Sequence, residues 1–486
     1  MIYKLRPYQE ECVKSISDYI NSDRHDPVLI VGPVGCGKSL LIAEAARLMG
    51  DKTLILQPSK ELLQQNHNKI TSYGIPATIY SASCGKKELS NMIYATLGSI
   101  KKVVGQLKEM GIRNVLIDEA HAGYSPEDGS EFMTFMNELK PKKVIGLTAT
   151  PCRLKTMSIG QVSYSQLNFI TRMRPVYFKN LIHVIQVEEM IRQGFWTPLK
   201  YETWDFNGDA LKLNSNGSEY TAESISEAVR KNGLNNLILR RLMVLKDVCR
   251  SILVFMDSVE SCNTAAEWMN AKICAGMAEV VHGGTPKKQR EAIVEGFKSG
   301  KTKVVFNYSA LGTGFDHPGL DCVIVGRPTF SFPSFYQWLG RAVRIKDGKG
   351  SALVVDCCNN SSRFGDIRKL SIENYKGYGW GMFIGDKLIT NIPMGDKVTK
   401  TDLGIKAAEK DRRRGLAQGV TAAPIPGRPD HPLGSTLMTF GRYCGWMLHS
   451  IPVSYFKFIN ETFDWDNDRN KDIKEYIDFL IKNNRL

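Results

Sequence analysis

Gly32-Pro33-Val34-Gly35-Cys36-Gly37-Lys38-Ser39 is the stretch on which the reading of this chain turns. It follows a short apolar run at 27–31 and precedes an apolar helical pattern at 40–49. A strand, a glycine-rich turn ending in Gly-Lys-Ser and a helix, in that order, form a phosphate cradle. Gly32, Gly35 and Gly37 let backbone N–H groups turn inward, and the helix N-terminus adds partial positive charge. Lys38 can reach the β- and γ-phosphates of a nucleoside triphosphate, and the Ser39 hydroxyl can coordinate Mg²⁺.

Outward from this loop, short β-branched runs at 27–31, 53–57, 115–118 and 144–148 alternate with helical patterns. Runs apolar on both faces and separated by helices predict a parallel sheet covered on both sides. The rhythm returns at 251–256, 303–308, 322–326 and 352–356, so the expected class is α/β with two similar units in tandem. The expected organisation is a first domain at 1–155, a connecting segment and start of the second at 156–235, and the body of the second at 236–365. The connection holds a helical pattern at 187–193 and a polar, Gly/Asn-rich loop at 207–218. A hairpin with a turn at Gly385-Asp386 and a basic linker follow at 366–430. A small accessory module with its own aromatic cluster and a final helix at 471–482 fills 431–486.

Asp118-Glu119-Ala120-His121 closes the run at 115–118. Carboxylates at the C-terminal end of a parallel strand point into the ligand crevice. Asp118 is expected to hold Mg²⁺ together with Ser39, and Glu119 to orient and deprotonate the attacking water. Gln337, Arg341 and Arg344 recur at helical spacing, so all three can share one face and offer guanidinium groups to Lys38's ligand across a cleft. An isolated pair of arginines at this spacing is usually a solvated face; its place one element after 312–316 in a second α/β unit favours the arginine-finger reading.

Together these motifs resemble the DEAH-type helicases of superfamily 2. That resemblance implies two RecA-like domains with ATP and Mg²⁺ between them. Arg6-Pro7-Tyr8-Gln9 resembles the family's adenine-reading motif, implying nucleotide contacts from Arg6 and Gln9. Pro58 with Glu61-Leu62 resembles motif Ia, and Thr96-Leu97-Gly98-Ser99 motif Ib. Thr148-Ala149-Thr150-Pro151 resembles the motif that couples hydrolysis to domain movement, implying coupling roles for His121, Thr148 and Thr150. The run from Leu311 to Asp316 resembles motif V, implying nucleotide contacts from Gly314 and Asp316 and a nucleic-acid contact from Thr313 beside Thr96 and Ser99.

Finer details, including Leu5 to Gln9, Gly146 to Arg153, Gly314 to Pro318 and Ile191 to Pro198, are similar to RadD-like DNA helicases of bacteria and related phages. Those proteins carry a cysteine-rich zinc module, whereas Cys357, Cys358 and Cys444 lack ligand spacing, so no structural zinc is expected. The segment Thr439 to Gly445 with Ile451 to Tyr455 is similar to a short module appended to exonuclease X-type proteins. Arg442 and its aromatic neighbours there could stack bases, although a miniature apolar core accounts for them as well.

The net charge of +14 favours polyanionic partners. Eleven scattered cysteines without a CxxC pair suit a reducing compartment. No apolar run is long enough to span a bilayer, and the first residues lack a signal peptide's apolar core. The expectation is a cytoplasmic enzyme of a bacterial cell or phage-infected host, working as a monomer. It would be a DNA helicase or translocase acting on forked or partly single-stranded DNA in repair, recombination or replication. Repair or replication proteins are expected partners of the C-terminal module. An RNA-directed ATPase of the same superfamily and a catalytically silent DNA-binding adaptor are the alternatives.

Overall fold

The computed structural model describes residues 4–159, 162–311, 315–375, 378–394, 396–404, 431–436, 438, 447–451, 453–462, 465 and 470–483. It forms two compact units, 1–375 with 379–400, and 376–378 with 401–486.

The apolar runs become strands because they are buried on both faces. Val28–Val31, Thr53–Leu56, Asn114–Ile117 and Lys143–Thr148 are buried at every position. They lie in an eight-stranded sheet ordered Asn180–Val184, Val28–Val31, Lys143–Thr148, Asn114–Ile117, Thr53–Leu56, Met92–Ala95, Thr78–Ser81, Lys86–Lys87. Every pairing is parallel except that of the last two strands. The second lobe repeats the plan with six parallel strands, Leu199–Thr203, Ala352–Asp356, Cys322–Val325, Ile252–Phe255, Val304–Tyr308 and Ala278–His282. Two parallel α/β lobes in tandem are the RecA-like architecture expected from the sequence.

The connecting segment is divided between the lobes. Asn180–Val184 extends the first sheet and Leu199–Thr203 the second. Ahead of both, Cys152–Ile159 and Val162–Phe169 pair antiparallel as a two-stranded ribbon. The hairpin expected near Gly385-Asp386 is present as the turn between Gly379–Ile384 and Lys387–Leu388, and Leu370–Tyr375 adds a third strand. This small sheet belongs to the first compact unit, since the Gln186 side chain brackets the backbone of Ile372 at 2.8 and 3.2 Å.

The second unit has its own apolar core of Met438, Leu448, Ile451, Phe456, Ile459, Ile473, Tyr476, Ile477 and Leu480. It includes the expected final helix, Lys471–Lys482. Residues 405–430 of the basic linker, and Arg442 with Cys444, lie outside the described residues. Among the described residues no helix is long and apolar enough to cross a membrane.

A nucleotide cleft between two lobes

The glycine-rich loop leaves the buried strand Val28–Val31 and enters the helix Lys38–Met49. Gly35 and Gly37 both have φ +82, a left-handed conformation that glycine adopts without strain. Space enforces the same choice at Gly37, where a methyl group would come within 2.6 Å of the Gln9 amide. Gln9 donates to the Cys36 carbonyl at 2.9 Å and accepts from the Arg6 backbone at 3.0 Å. Tyr8 donates to the same Cys36 carbonyl at 3.1 Å. Arg6 lies 4.6 Å above the Phe195 ring, so its guanidinium and that ring together wall one side of the loop. Trp196 completes the clamp by donating to the Val34 carbonyl at 2.8 Å.

Asp118 and Glu119 lie just past the buried strand Asn114–Ile117. Glu119 takes a left-handed φ of +46, which is costly for a residue with a side chain and re-aims its carboxylate. Its two oxygens stand 3.3 Å from Lys38 Nζ and 3.4 Å from His121 Nδ1. Burial works against the Glu119 charge, but Lys38 and His121 outweigh it and hold this carboxyl below its ordinary value. Asp118 shows the opposite balance, since burial and the neighbouring Glu119 push it up to about 7. Asn66 donates to Asp118 at 2.9 Å and to Gln57 at 3.0 Å, which fixes the carboxylate's orientation. His121 Nδ1 also meets the Thr148 hydroxyl at 2.7 Å, and the Thr150 N–H donates to that hydroxyl at 3.1 Å. All three expected coupling residues are therefore within one hydrogen-bonded chain.

The facing wall comes from the second lobe. Here one expectation needs correction: Gln337, Arg341 and Arg344 do not share a helical face, because the helix Phe332–Leu339 stops before both arginines. Short-range bonds from Arg341 N to Trp338 O and from Ala342 N to Leu339 O wind the chain out of the helix. Thr197 then donates to the Val343 and Arg344 carbonyls at 2.8 and 2.7 Å, which fixes the chain beyond the break. Glycine is required at the break, since a methyl group on Gly340 would come 2.6 Å from Val34 of the phosphate loop. The three side chains still converge. Arg341 is buried and donates to the Phe315 carbonyl at 2.6 Å and to Gln337 Oε1 at 3.0 Å. Burial pushes its guanidinium down to about 10. Arg344 is paired with Asp316.

One cavity of about 510 Å³ is lined from both sides by Arg6, Gln9, Gly35, Gly37, Lys38, Ser39, Asp118, Glu119, Asp316, Gln337, Arg341 and Arg344. Phe195, Gln65 and Lys69 share the lining and were not expected; Asn66 braces Asp118 from behind. The hydroxyl of Ser39 and the carboxylate of Asp118 are the hard oxygen donors that Mg²⁺ prefers, and phosphate oxygens would complete its shell. Among the described residues no group of three or more His, Cys, Asp or Glu side chains is arranged to hold a metal by itself.

Of the expected nucleic-acid residues, Thr96 and Ser99 stand apart from the cavity. Thr96 donates to Ser99 at 3.2 Å, and Ser99 accepts from the Ala82 N–H at 3.0 Å. Thr313, with Gly312 and Gly314, lies outside the described residues.

Residues 2–153 match the family model of the type III restriction enzyme res subunit, and residues 235–346 match the helicase conserved C-terminal domain. A 51.5 kDa protein of a Lactococcus phage is 25% identical over 68% of this chain and 65% of its own length. The irc3 protein of Schizosaccharomyces pombe, named for a mitochondrial ATP-dependent helicase, is 26% identical over 74% of this chain and 58% of its own. This chain therefore spans less than two thirds of the length of either relative. The solved ATP-dependent type ISP restriction-modification enzyme LlaBIII, bound to DNA, superposes with a TM-score of 0.55 at 16% identity, covering 74% of this chain and 28% of that one. Two helicase-family models in this order, on two RecA-like lobes that close around one phosphate loop, indicate a superfamily 2 helicase.

Proposed function

We propose that this chain is an ATP-dependent DNA helicase or translocase of the DEAH-box type, coupling hydrolysis in the inter-lobe cleft to movement on branched or partly single-stranded DNA. The observation that carries the reading is the convergence of Lys38, Asp118 and Glu119 from one lobe with Arg341 and Arg344 from the other on a single cavity. A basic excess of +14 suits a polyanionic track. A fold neighbour solved on DNA favours DNA over RNA, and repair, recombination or replication is the setting that fits such a motor.

The chain's own groups divide the work. Backbone N–H groups of Gly35 and Gly37 and the Lys38 ammonium grip the phosphates, and Arg6 and Gln9 flank the base. Mg²⁺, when bound at Ser39 and Asp118, would neutralise phosphate charge. Glu119, held ionised by Lys38 and His121, is placed to take a proton from water. Arg341 stabilises the negative charge that grows on the γ-phosphoryl oxygens. Thr148 and Thr150 register the state of Glu119 through His121. Thr96, Ser99 and Thr313 are assigned to the DNA backbone.

Measuring ATP turnover with single-stranded DNA, forked DNA and RNA tests this. Stimulation by DNA is expected, strongest on the forked form. Stimulation by RNA alone would overturn the DNA assignment, and no turnover on any of them would overturn the motor.

A further inference from the structure

The polar stretch at 207–218 reads from sequence as a loop, yet it ends in a tight hairpin. Leu213 bridges Tyr220, and the Asn214 side chain accepts from the Ser218 N–H at 2.9 Å. The tip, Asn216 and Gly217, is pressed onto the antiparallel ribbon that follows Pro151. Thr156 donates to the Asn216 carbonyl at 2.6 Å, and Ser165 to the Gly217 carbonyl at 2.9 Å. A methyl group on Gly217 would come 2.3 Å from the Thr156 hydroxyl, so the contact is as close as backbone allows.

Each end of this assembly reaches one wall of the cleft. The ribbon begins with Cys152 and Arg153. Arg153 donates to the carbonyls of His121 at 2.6 Å, Tyr124 at 2.5 Å and Ala120 at 3.3 Å, gripping the loop that carries Glu119. At the hairpin's base, Glu219 accepts from the Thr329 hydroxyl at 2.5 Å and from the Phe330 N–H at 2.7 Å. Those residues immediately precede the helix Phe332–Leu339, which presents Gln337 and through it Arg341. Arg363 seals the joint by donating to the Thr329 carbonyl at 2.9 Å and lying over the Tyr220 and Phe330 rings.

We infer that the 213–220 hairpin is a strut linking the two walls of the cleft outside the nucleotide, with Glu219 the positioning residue that sets the helix carrying Gln337. A displacement of the Ala120–His121 backbone passes through Arg153 to the ribbon, from the ribbon to Gly217, and from Glu219 to the helix that aims Arg341. Charge-assisted bonds at both ends make the path stiff. This rests on the motor reading above and adds a residue outside the lining of the cleft cavity.

The test compares ATP turnover of the full chain with Glu219→Ala, Glu219→Gln, Arg341→Ala and the Glu219→Ala/Arg341→Ala double variant. If the wild-type chain hydrolyses no ATP, the motor reading fails and the strut with it; the variants speak to the strut alone. With an active wild type, Glu219→Ala is expected to lower kcat about 10-fold with KM for ATP within about twofold, because binding groups stay in place while the finger is misaimed. Glu219→Gln keeps an acceptor oxygen and is expected to recover most of the rate. In the double variant the two losses should not multiply, since Glu219 acts only through the finger. Should Glu219→Ala lose its cooperative melting, Thr329→Val removes one donor and is expected to show the same split of kcat from KM. A kcat within twofold of wild type for the substituted chain, or losses that multiply fully with Arg341→Ala, would overturn the strut.

Discussion

The two walls of the cleft solve the same electrostatic problem in opposite ways. In the first lobe opposite charges are matched at close range: Lys38 with Glu119, Glu119 with His121, and Asp118 with the amide of Asn66. In the second lobe Arg344 is likewise matched, by Asp316, but Arg341 is buried against a carbonyl and an amide oxygen, and desolvation pushes it down to about 10. Neutral oxygens cancel less of a guanidinium's field than a carboxylate in contact would. The difference teaches that the first wall is built to hold chemistry in register, whereas the second brings a concentrated positive charge to it. A triphosphate is the ligand that would need both.

The sharpest way to break this contrast is to remove the second wall's charge. Arg341→Ala is expected to cut kcat by about 10³ or more while ATP binding, read by equilibrium titration, changes far less. Arg341→Lys should rescue little, since an ammonium cannot reach both Phe315 O and the phosphoryl oxygens. Equal losses in binding and turnover would make Arg341 an anchor instead. Next in size, Glu119→Gln is expected to lower kcat by about 10²–10³ and leave a chain that retains ATP. Wild-type turnover in that variant would mean another group takes the proton. A smaller effect is expected for Asn66→Ala. Losing the donor to Asp118 should raise the Mg²⁺ concentration needed for half-maximal turnover about 10-fold, as loss of an outer-shell partner does. An unchanged Mg²⁺ requirement would remove Asp118 from the metal's shell.

How much was legible in the sequence follows the same division. The phosphate loop and the Asp118–Glu119 pair were legible because fully apolar strands announce them, and eight such runs became parallel strands in place. Strands with mixed polarity were not. Asn180–Val184 has no fully buried position and Leu199–Thr203 has one, so neither shows a buried strand's continuous apolar run. Among site residues, Asn66 is one polar position on a helix, and nothing local marks it as Asp118's partner. Phe195 and Trp196 fall within the Ile191 to Pro198 likeness, and two adjacent aromatics after Gly194 are their local signal. The end of the helix at Leu339 was hidden because what goes with it, the close approach of Gly340 to Val34 of the phosphate loop, joins residues far apart in the chain. Gln337, Arg341 and Arg344 at intervals of four and three imitate a helical face that the fold does not build.

The positive character of the second lobe extends past the cleft to Lys298, Lys346 and Lys349, which act on the buried His317. Its ring is buried beside Phe297, with Nε2 at 2.8 Å from the Ser251 hydroxyl. Burial first, then Lys346, Lys298 and Lys349, push the imidazole down to about 4, against a weaker opposing pull from Asp321. A depressed folded-state value means that folding excludes a proton the unfolded chain accepts near its ordinary value of about 6.5. The stabilisation is therefore complete above that value and lost progressively as pH falls toward 4. The expected loss is about 1 kcal/mol by about pH 5.5. Comparing the pH dependence of melting for wild type and His317→Gln isolates this contribution from every other titrating group. The variant's melting temperature should fall less steeply between neutral pH and about pH 5. Parallel curves would show that the imidazole keeps an ordinary affinity for protons, so that neither its burial nor the lysines around it act on it. The contrast between a matched first wall and a cationic second lobe would then be confined to Arg341 and its immediate neighbours.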